Sequence, residues 1–250
     1  MGYKLYQGDC LEVMDKLIKE GVKVDMILTD PPYGTTACKW DSVIPFHEMW
    51  IRINKLIKTN GAIVLFGNEP FSSNLRMSNI KKYKYDWVWN KRPVNFLNAK
   101  RQPLREVENI MVFNSKIYNP QGLIYKEKIN KRTNSTETNS KHGLSNKSYY
   151  TNYPKQILRF IGERGLHPTQ KPVALLEYLI KTYTKEGETV LDNCAGSMST
   201  VIASINTNRN CIAIEKDKNY FEIGKKRVIE HLKTNNISTN LVILDNECAI

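Results

Sequence analysis

Apolar positions along the chain follow two rhythms, short continuous runs and a spacing of three to four residues. The runs at 3–7, 23–29 and 61–67 are bounded by turn residues and predict buried strands. Between them, apolar residues three and four apart predict helices over 9–20 and 46–58. Strands that alternate with helices form a mostly parallel sheet covered by helices on both faces, so the pattern predicts an α/β fold.

Two further segments, 83–90 and 107–113, alternate in a way that suits antiparallel strands. Regular patterning resumes at Pro172 and predicts a second strand–helix–strand unit. Its elements are a helix at 172–183, a strand at 188–192, a helix from 197, a strand at 211–214, a helix from 218 and a final strand at 241–245. The chain has 250 residues, enough for one large domain, residues 1–250, that carries an insertion.

The alternation breaks between about 115 and 165, where the chain is polar. Residues 131–140 contain almost no apolar side chain and are expected to form an exposed loop. The aromatic and basic residues that follow are Tyr149, Tyr150, Tyr153, Lys155 and Arg159. We interpret 115–165 as an insertion that meets the substrate, with a plain surface loop as the alternative.

Composition narrows the class of protein. No run of about eighteen apolar residues exists, so no membrane-spanning helix is expected, and the N-terminus lacks the apolar stretch of a secretion signal. The five cysteines are scattered without CxxC spacing. They predict reduced thiols in a cytoplasmic protein, with neither a disulfide framework nor a metal site.

The chain is also strongly basic. Its 37 Lys and Arg against 25 Asp and Glu give a net charge of +12, which favours a polyanionic partner such as nucleic acid. The alternative is a bias of composition towards Lys, Asn and Ile. Residues that can neutralise phosphates are Lys91, Arg92, Lys100, Arg101 and Arg105. A solvated basic face is the alternative for this stretch, and Arg105 can equally suit the reading of guanine.

An acid, two prolines and an aromatic ring end the strand predicted at 23–29. Proline cannot continue a β-ladder, so the backbone must leave the sheet at Asp30, Pro31, Pro32 and Tyr33. Open α/β sheets bind ligands at the carboxyl ends of their strands. Here a carboxylate and a proline carbonyl can accept the two hydrogens of an exocyclic amino group while the tyrosine ring stacks on a planar base. The alternatives are a strand-end cap for Asp30 and core packing for Tyr33.

A strand, an acid, a small-residue turn and a helix follow one another around Thr189–Ser197. Gly196 permits positive φ or a close backbone approach, and the helix N-terminus offers free N–H groups to an anion. Glu215 ends the next strand, 23 positions after Asp192, where an acid commonly binds both hydroxyls of a ribose. The turn is not GxGxxG, so a dinucleotide is not favoured. A turn without a ligand, in which Asp192 caps the helix, is the alternative.

Three blocks of the chain, in this order, resemble the β class of DNA amino-methyltransferases, whose motifs are permuted. The blocks are Asp30–Tyr33, His167–Pro172 and Leu191–Ser197, the last followed by Ala213–Asp217 and Tyr220. The run Gly8–Cys10 also looks like a family feature. The resemblance covers nearly the whole chain apart from the loop near 130–148.

The resemblance implies a Rossmann-like S-adenosylmethionine-dependent methyltransferase fold with circularly permuted motif order. It also implies transfer of a methyl group from S-adenosylmethionine to an exocyclic amino nitrogen of double-stranded DNA, after the base flips out of the duplex. In this family an Asp-led first block goes mostly with adenine N6, so Asp30 favours adenine.

Under the resemblance, the catalytic residues are Asp30, Pro31, Pro32 and Tyr33. The cofactor contacts that it implies are Asp9, Cys10, Asp30, His167, Pro168, Thr169, Lys171, Pro172, Asp192, Asn193, Cys194, Ala195, Gly196, Ser197, Glu215 and Lys216. The insertion would be the target-recognition region. No metal is needed, because the sulfonium is already a strong methyl donor. The resemblance makes a homodimer plausible and fits a bacterial or phage-encoded enzyme.

One departure from the family pattern stands at Met198, where a second glycine is usual. In a first helical turn, a methionine is tolerable and can line the cofactor pocket. If the position requires a positive φ, binding of S-adenosylmethionine is in question.

Other functions stay open at this point. The acceptor could be cytosine N4, RNA or protein, or the chain could be a basic nucleic-acid-binding relative whose methyl-transfer site is defective. A nicotinamide oxidoreductase is disfavoured because the glycine fingerprint is missing and the block at Asp30–Tyr33 would have no role.

Overall fold

A computed structural model describes residues 1–34, 42–91, 99–131, 147–162 and 170–244, of which 127–131 and 147–148 are described by their backbone alone. The chain divides into two compact units. One contains Met1–Asn119 and Gln156–Ile250, and the other contains Pro120–Lys155.

Strands and helices alternate through most of the chain. The first half contains β1 (Gly2–Gln7), α1 (Cys10–Lys19), β2 (Val24–Thr29), α2 (Phe46–Leu56), β3 (Ile57–Gly67), α3 (Phe71–Ser78), β4 (Tyr83–Asn90) and β5 (Val107–Phe113). The second half contains β6 (Ile124–Lys131), β7 (Lys147–Thr151), β8 (Ile157–Arg159), α4 (Val173–Tyr183), β9 (Thr189–Asp192), α5 (Ser199–Asn206), β10 (Asn210–Glu215), α6 (Lys218–Thr234) and β11 (Asn240–Leu244).

Among the described residues, nine strands form one sheet in the order β11–β1–β10–β9–β2–β3–β5–β4–β8. All neighbouring pairs are parallel except those made by β5, which runs antiparallel to both β3 and β4. The prediction of a mostly parallel sheet is therefore confirmed, as is the antiparallel pairing of 83–90 with 107–113.

Alternation along the central strands divides the core between the two faces of the sheet. On β2, Ile27 packs in the layer formed with α1, α2 and α3, whereas Leu28 packs in the layer formed with α4. Helices α5 and α6 pack against β1 and β10 through a third cluster that contains Leu5 and Ala213. Helices thus cover both faces, as the sequence predicted. Each fully buried Ile or Leu contributes roughly 1.5–3 kcal/mol through removal of apolar surface from water.

The structure adds four elements that the apolar pattern did not predict. Helix α3 is rich in Ser and Asn, but Phe71 and Leu75, four residues apart, are both buried. Strand β8 has three residues and lies at the edge of the sheet. Strands β6 and β7 form a two-stranded antiparallel sheet within the Pro120–Lys155 unit. The polar composition of this region gave no apolar pattern from which these two strands could be predicted.

The sheet brings distant parts of the sequence to one edge. The ends of β1 and β10 are in register at Gln7 and Glu215, and Ala213 pairs with Asp192 at the end of β9. Because β5 runs in the opposite direction, its first residues lie beside the end of β3, where Gly67 pairs with Asn109. The acids predicted at strand ends therefore share an edge with the beginning of β5. None of the described helices is long and apolar enough to cross a membrane.

Candidate active site

Asp30 leaves the sheet directly after β2, and both oxygens of its carboxylate are engaged. Its Oδ2 lies 2.5 Å from Nζ of Lys171, a buried residue just before α4. Its Oδ1 accepts a hydrogen bond from the hydroxyl of Tyr33. The first and second blocks of the sequence motif, 141 positions apart at these residues, thus meet through an ion pair.

A second carboxylate, Glu108 on β5, completes this network. Its Oε1 lies 2.9 Å from Nζ of Lys171 and also 2.9 Å from the Tyr33 hydroxyl. Its Oε2 lies 2.9 Å from Nζ of Lys91. Glu108 is only 3% exposed, and a buried charge of this kind needs charged partners. The ammonium groups of Lys171 and Lys91 supply them.

The two carboxylates of this network titrate differently. Burial raises the pKa of Asp30, Lys171 opposes that rise, and the nearby Glu108 adds to it, so the pKa ends above its ordinary value. Burial also acts to raise the pKa of Glu108, but Lys171 and Lys91 lower it to about 2. Although burial opposes it, attraction to both carboxylates raises the pKa of Lys171. At neutral pH, Lys171 and Glu108 are therefore a charged pair, and Asp30 is the member that takes up a proton more readily.

Tyr33 lies beside an aromatic neighbour as well as in the polar network. Its ring is 5.0 Å from the ring of Phe71 at an interplanar angle of 34°. Burial and the two adjacent carboxylates raise the pKa of Tyr33 well above its ordinary value, so the hydroxyl remains a donor. The hydroxyl orients the ring, and the ring remains partly exposed.

Asp192, at the end of β9, braces three segments of the chain. Its Oδ1 accepts from the Thr29 hydroxyl at 2.8 Å and from the backbone N–H of Cys194 at 3.1 Å. Its Oδ2 accepts from the Thr200 hydroxyl at 2.5 Å. Burial raises the pKa of Asp192 to about 6 against the opposing effect of these donors. This carboxylate fixes the turn after β9 to β2 and to α5.

Glu215, at the end of β10, holds the same turn from the other side. Its Oε2 accepts from the N–H of Gly196 at 2.7 Å, and its Oε1 accepts from the N–H of Asp217 at 2.7 Å. Gly196 has φ +50°, which a glycine adopts without strain. Burial raises the pKa of Glu215, whose side chain nevertheless remains partly exposed at the edge of the sheet.

The start of α1 meets this turn. Asp9 caps the helix by accepting from the N–H of Leu11 at 2.9 Å, and its other oxygen pairs with Nζ of Lys216 at 3.0 Å. The thiols of Cys10 and Cys194 share a hydrogen bond, which lowers the pKa of Cys10 and raises that of Cys194. Residues predicted from three separate loops to contact a cofactor thus lie together.

The edge formed by these loops fits S-adenosylmethionine, which carries an ammonium group, a sulfonium and a ribose with two hydroxyls. Oδ1 of Asn193 is buried and has no hydrogen-bond partner among the described residues. A buried acceptor of this kind is normally satisfied, and an N–H donor of a ligand would satisfy it. The partly exposed carboxylate of Glu215 can accept from hydroxyls on the same edge. In the part of the chain that the structure describes, no group of His, Cys, Asp and Glu side chains could hold a metal ion.

Comparison with known proteins identifies the family. A family model for DNA methylases of the N6/N4 methyltransferase type matches residues 24–226. The chain belongs to this DNA methylase family. The predictions of a Rossmann-like methyltransferase fold, S-adenosylmethionine as cofactor and DNA as substrate are therefore confirmed.

Individual relatives cover most of the DNA methylase chain. It is 26% identical to the type II methyltransferase M2.MboI of Moraxella bovis, over 91% of this chain and 88% of that protein. It is 27% identical to the DNA adenine methyltransferase YhdJ of Escherichia coli, over 90% of this chain and 82% of that protein. A crystal structure of M1.HpyAVI with S-adenosylmethionine superimposes with a TM-score of 0.63 and 28% identity, covering 90% of this chain and 99% of that one.

Most of the predicted site residues gather at one edge of this methylase, and two of the predicted lysines lie in the charged network. Lys171, predicted among the cofactor contacts, pairs with Asp30 and Glu108. Lys91, predicted to neutralise DNA phosphates, pairs with the buried Glu108 carboxylate at 2.9 Å. The predicted residues that lie outside the described part of the chain are Arg92, His167, Pro168 and Thr169.

Glu108 is the functional candidate that the sequence interpretation missed. On β5 it shares a strand face with Ile110 and Val112, both fully buried. A charged residue at an inward position of an otherwise apolar strand is the signal that could have found it, since such a charge needs buried partners.

Met198 has the positive φ that the family pattern leads one to expect of a glycine. Its φ is +62° and its ψ is +31°, in the left-handed region, at the N-terminal cap of α5. A side chain in this conformation costs about 1–2 kcal/mol. The side chain is fully buried with Val201 and Phe221, so it packs in the core. Burial of the methionine offsets the backbone strain.

Gly224 on α6 has no side chain and so leaves space for the side chain of Met198. A double-mutant cycle at these two positions tests this contact. A Cβ at Gly224 would lie 2.4 Å from Cγ of Met198. Gly224→Ala should therefore lower the free energy of unfolding by roughly 1–3 kcal/mol through overpacking. The same substitution should cost much less in a Met198→Gly background, because the clashing atom is gone. Urea denaturation measures both.

Gly162→Ala is the matched control for this cycle, since a Cβ there would meet nothing within 4 Å. If Gly224→Ala proves as stable as Gly162→Ala, or lowers the free energy of unfolding equally with and without Met198, then the side chain of Met198 does not pack tightly against Gly224.

The raised pKa of Asp192 predicts how stability depends on pH. With a folded-state pKa of about 6 against 3.8 for the ordinary group, the proton is bound more tightly in the folded protein. Its stabilising effect is complete below about pH 4 and is lost as pH rises through 6. Asp192→Asn mimics the protonated acid, so its unfolding free energy relative to wild type should rise by roughly 2–3 kcal/mol from pH 4 to 7.

Chemical denaturation at several pH values, with the exposed Glu230→Gln as control for loss of one carboxylate, measures this difference. A difference between Asp192→Asn and wild type that does not change with pH would show that Asp192 is ionised in the folded protein throughout this range.

Proposed function

We propose that this DNA methylase methylates the exocyclic N6 of adenine in DNA, and that the Asp30 carboxylate holds the target amino group. The observation that carries the proposal is the position of Asp30, partly exposed directly after β2 and on the same sheet edge as Asp192 and Glu215. Membership of the DNA methylase family and the relative named as an adenine methyltransferase support it.

An aromatic amine is a poor nucleophile because its lone pair is delocalised into the ring. The Asp30 carboxylate and the carbonyl of the buried Pro31 can accept the two amino hydrogens and so fix the direction of the lone pair. When bound, S-adenosylmethionine supplies an electrophilic methyl group. Orientation and preorganised charge then account for most of the rate enhancement. The raised pKa of Asp30 suits it to take the proton that the amine releases.

The amino group is inaccessible inside a duplex, so the adenine must flip out at a cost of a few kcal/mol. The partly exposed ring of Tyr33, supported by Phe71, offers a stacking surface. Stacking of a base on an aromatic side chain returns about 1–3 kcal/mol. Tyr33 therefore acts as a platform whose hydroxyl is anchored in the charged network.

The cofactor roles implied by the family pattern are part of the proposal. Glu215 would accept from the ribose hydroxyls, and Asn193 would accept from a donor of the cofactor. Asp9 and Lys216 support the pocket by holding the start of α1 against the end of β10. The assignments of His167–Thr169 to the cofactor stay predictions.

Two regions would contact DNA. Lys100, Arg101 and Arg105 are exposed ahead of β5. The Pro120–Lys155 unit carries seven Lys or Arg against two Glu, and it displays exposed tyrosines, with Tyr125 and Tyr149 stacked at 6.4 Å and 9°. Basic groups neutralise phosphates, whereas exposed aromatic rings suit bases. We assign target recognition to this unit. A homodimer and a cytoplasmic location stay predictions.

The function is tested by incubating the protein with methyl-labelled S-adenosylmethionine and unmethylated genomic DNA, then digesting the DNA to nucleosides. Label in N6-methyldeoxyadenosine is the expected result. Label in N4-methyldeoxycytidine would contradict the choice of adenine while retaining the reaction. Binding of DNA without any transfer would favour a relative with a defective methyl-transfer site.

Asp30→Ala should lower the turnover number in this assay by roughly two orders of magnitude or more, because one preorganised group is lost at the reacting nitrogen. Affinity for S-adenosylmethionine, measured by calorimetry, should persist. Lys171 keeps Glu108 as a partner, so the variant should fold. The exposed Glu20→Ala is a control of equal charge change. Methylation by Asp30→Ala at the wild-type rate would end the assignment.

Replacing Lys100, Arg101 and Arg105 together by Ala should weaken DNA binding uniformly across sequences. The slope of log affinity against log salt concentration should become shallower by up to about 3, because fewer counterions are released. Titrations of labelled duplex at several salt concentrations measure this slope. A triple Ala variant at the exposed Lys19, Lys81 and Lys233 is the matched control. An equal change in both triple variants would indicate a net-charge effect and no local contact.

A further inference from the structure

Asp30 meets the target amino group with one donor already on each of its oxygens. Lys171 holds Oδ2 and the Tyr33 hydroxyl holds Oδ1. Each oxygen can accept a second hydrogen bond, so hydrogen bonding alone does not force a partner to leave. Charge does, because the amine becomes positively charged as it is methylated and the Lys171 ammonium at this distance would repel it. Lys171 is therefore the partner that must move away from Asp30.

Lys171 cannot simply be released, because its side chain is only 8% exposed. An unpaired ammonium in such a site is strongly unfavourable. Glu108 offers a second charged partner without any large movement, since its Oε1 already lies 2.9 Å from the same Nζ. Lys171 can thus leave Asp30 and remain paired.

Glu108 is itself held in place. It lies on the inward face of β5, in the part of that strand that pairs with β4, where Glu108 is opposite Trp89. Its Oε2 pairs with Lys91 at 2.9 Å, so the carboxylate is anchored independently of Lys171. A fixed carboxylate can keep the ammonium at one location while Asp30 changes partner.

We propose that Glu108 is a positioning residue of the methyl-transfer site, which retains Lys171 when the Asp30 carboxylate exchanges that ammonium for the target amino group. Glu108 acts on Asp30 only through Lys171 and touches neither the base nor the cofactor. This inference rests on the proposed function, because it assigns Asp30 to the amino group.

The test is Glu108→Gln in single-turnover methylation across a range of pH. The amide cannot compete for the ammonium, so Lys171 stays on Asp30 and the rate on the high-pH plateau should fall by roughly tenfold or more. The acid limb should move to lower pH, because Glu108 no longer raises the pKa of Asp30. Affinity for S-adenosylmethionine should be unchanged. Glu106→Gln, an exposed carboxylate just before β5, is the matched control.

A second variant, Glu108→Gln with Lys171→Met, separates positioning from a structural role. It removes the ammonium that must be held, so its plateau rate should exceed that of Glu108→Gln alone. It also leaves Lys91 and Asp30 with balanced charge, which keeps the variant informative if Glu108→Gln does not fold. If Glu108 has only a structural role, the double variant should methylate DNA more slowly than Glu108→Gln alone.

Each outcome decides the matter. A lower plateau with a shifted limb for Glu108→Gln, recovered in the double variant, supports the inference. A wild-type profile for Glu108→Gln, or a double variant without transfer, overturns it while leaving wild-type transfer to adenine intact. A wild type that transfers no label overturns the proposed function, and the inference with it.

Discussion

The Lys171 ammonium joins chain segments that are far apart in sequence, because one atom pairs with both Asp30 and Glu108. It brings the turn after β2, the start of β5 and the start of α4 to one place. Two carboxylates so close together would repel each other if no cation lay between them. Removing one partner of a buried ion pair typically costs 3–5 kcal/mol, so the arrangement is strongly held. The orientation of Tyr33 depends on it as well, since its hydroxyl reaches both carboxylates.

On the cofactor side of the sheet edge, the carboxylates are held by backbone N–H groups and hydroxyls. Asp192 and Glu215 bind backbone N–H groups of the turn that contains Gly196, and Asp192 also ties that turn to Thr29. Because Thr29 directly precedes Asp30, the hydrogen bond from Thr29 to Asp192 links the two halves of the site. The geometry of the methyl acceptor region is thus connected to that of the cofactor region through one buried carboxylate.

Much of this organisation could be predicted from the sequence, for physical reasons that particular elements illustrate. Strand β2 is largely apolar and is followed directly by Asp30, and β9 ends in Asp192, so both the strands and the position of the acids at the sheet edge were predictable. Helix α3 escaped prediction because burial of Phe71 and Leu75, and not helix propensity, selects it from a Ser- and Asn-rich segment.

The ion-pair partners of the charged residues could not be predicted from the sequence pattern. Lys171 could be placed near the site by its motif, but its choice of Asp30 and Glu108 depends on the antiparallel insertion of β5 beside β3. Likewise, the backbone of Met198 is permitted because Gly224, 26 positions later on another helix, leaves space for its side chain. Both features require contacts between residues that local spacing does not relate.

The most direct measurement is a crystal structure of the protein with S-adenosylhomocysteine and a DNA duplex that contains a mapped methylation site. The expected result is a flipped adenine whose N6 lies within about 3.2 Å of the Asp30 carboxylate, with Lys171 paired to Glu108 alone. A flipped base held elsewhere, with Lys171 still bound to Asp30, would contradict the assignment of Asp30 to the amino group.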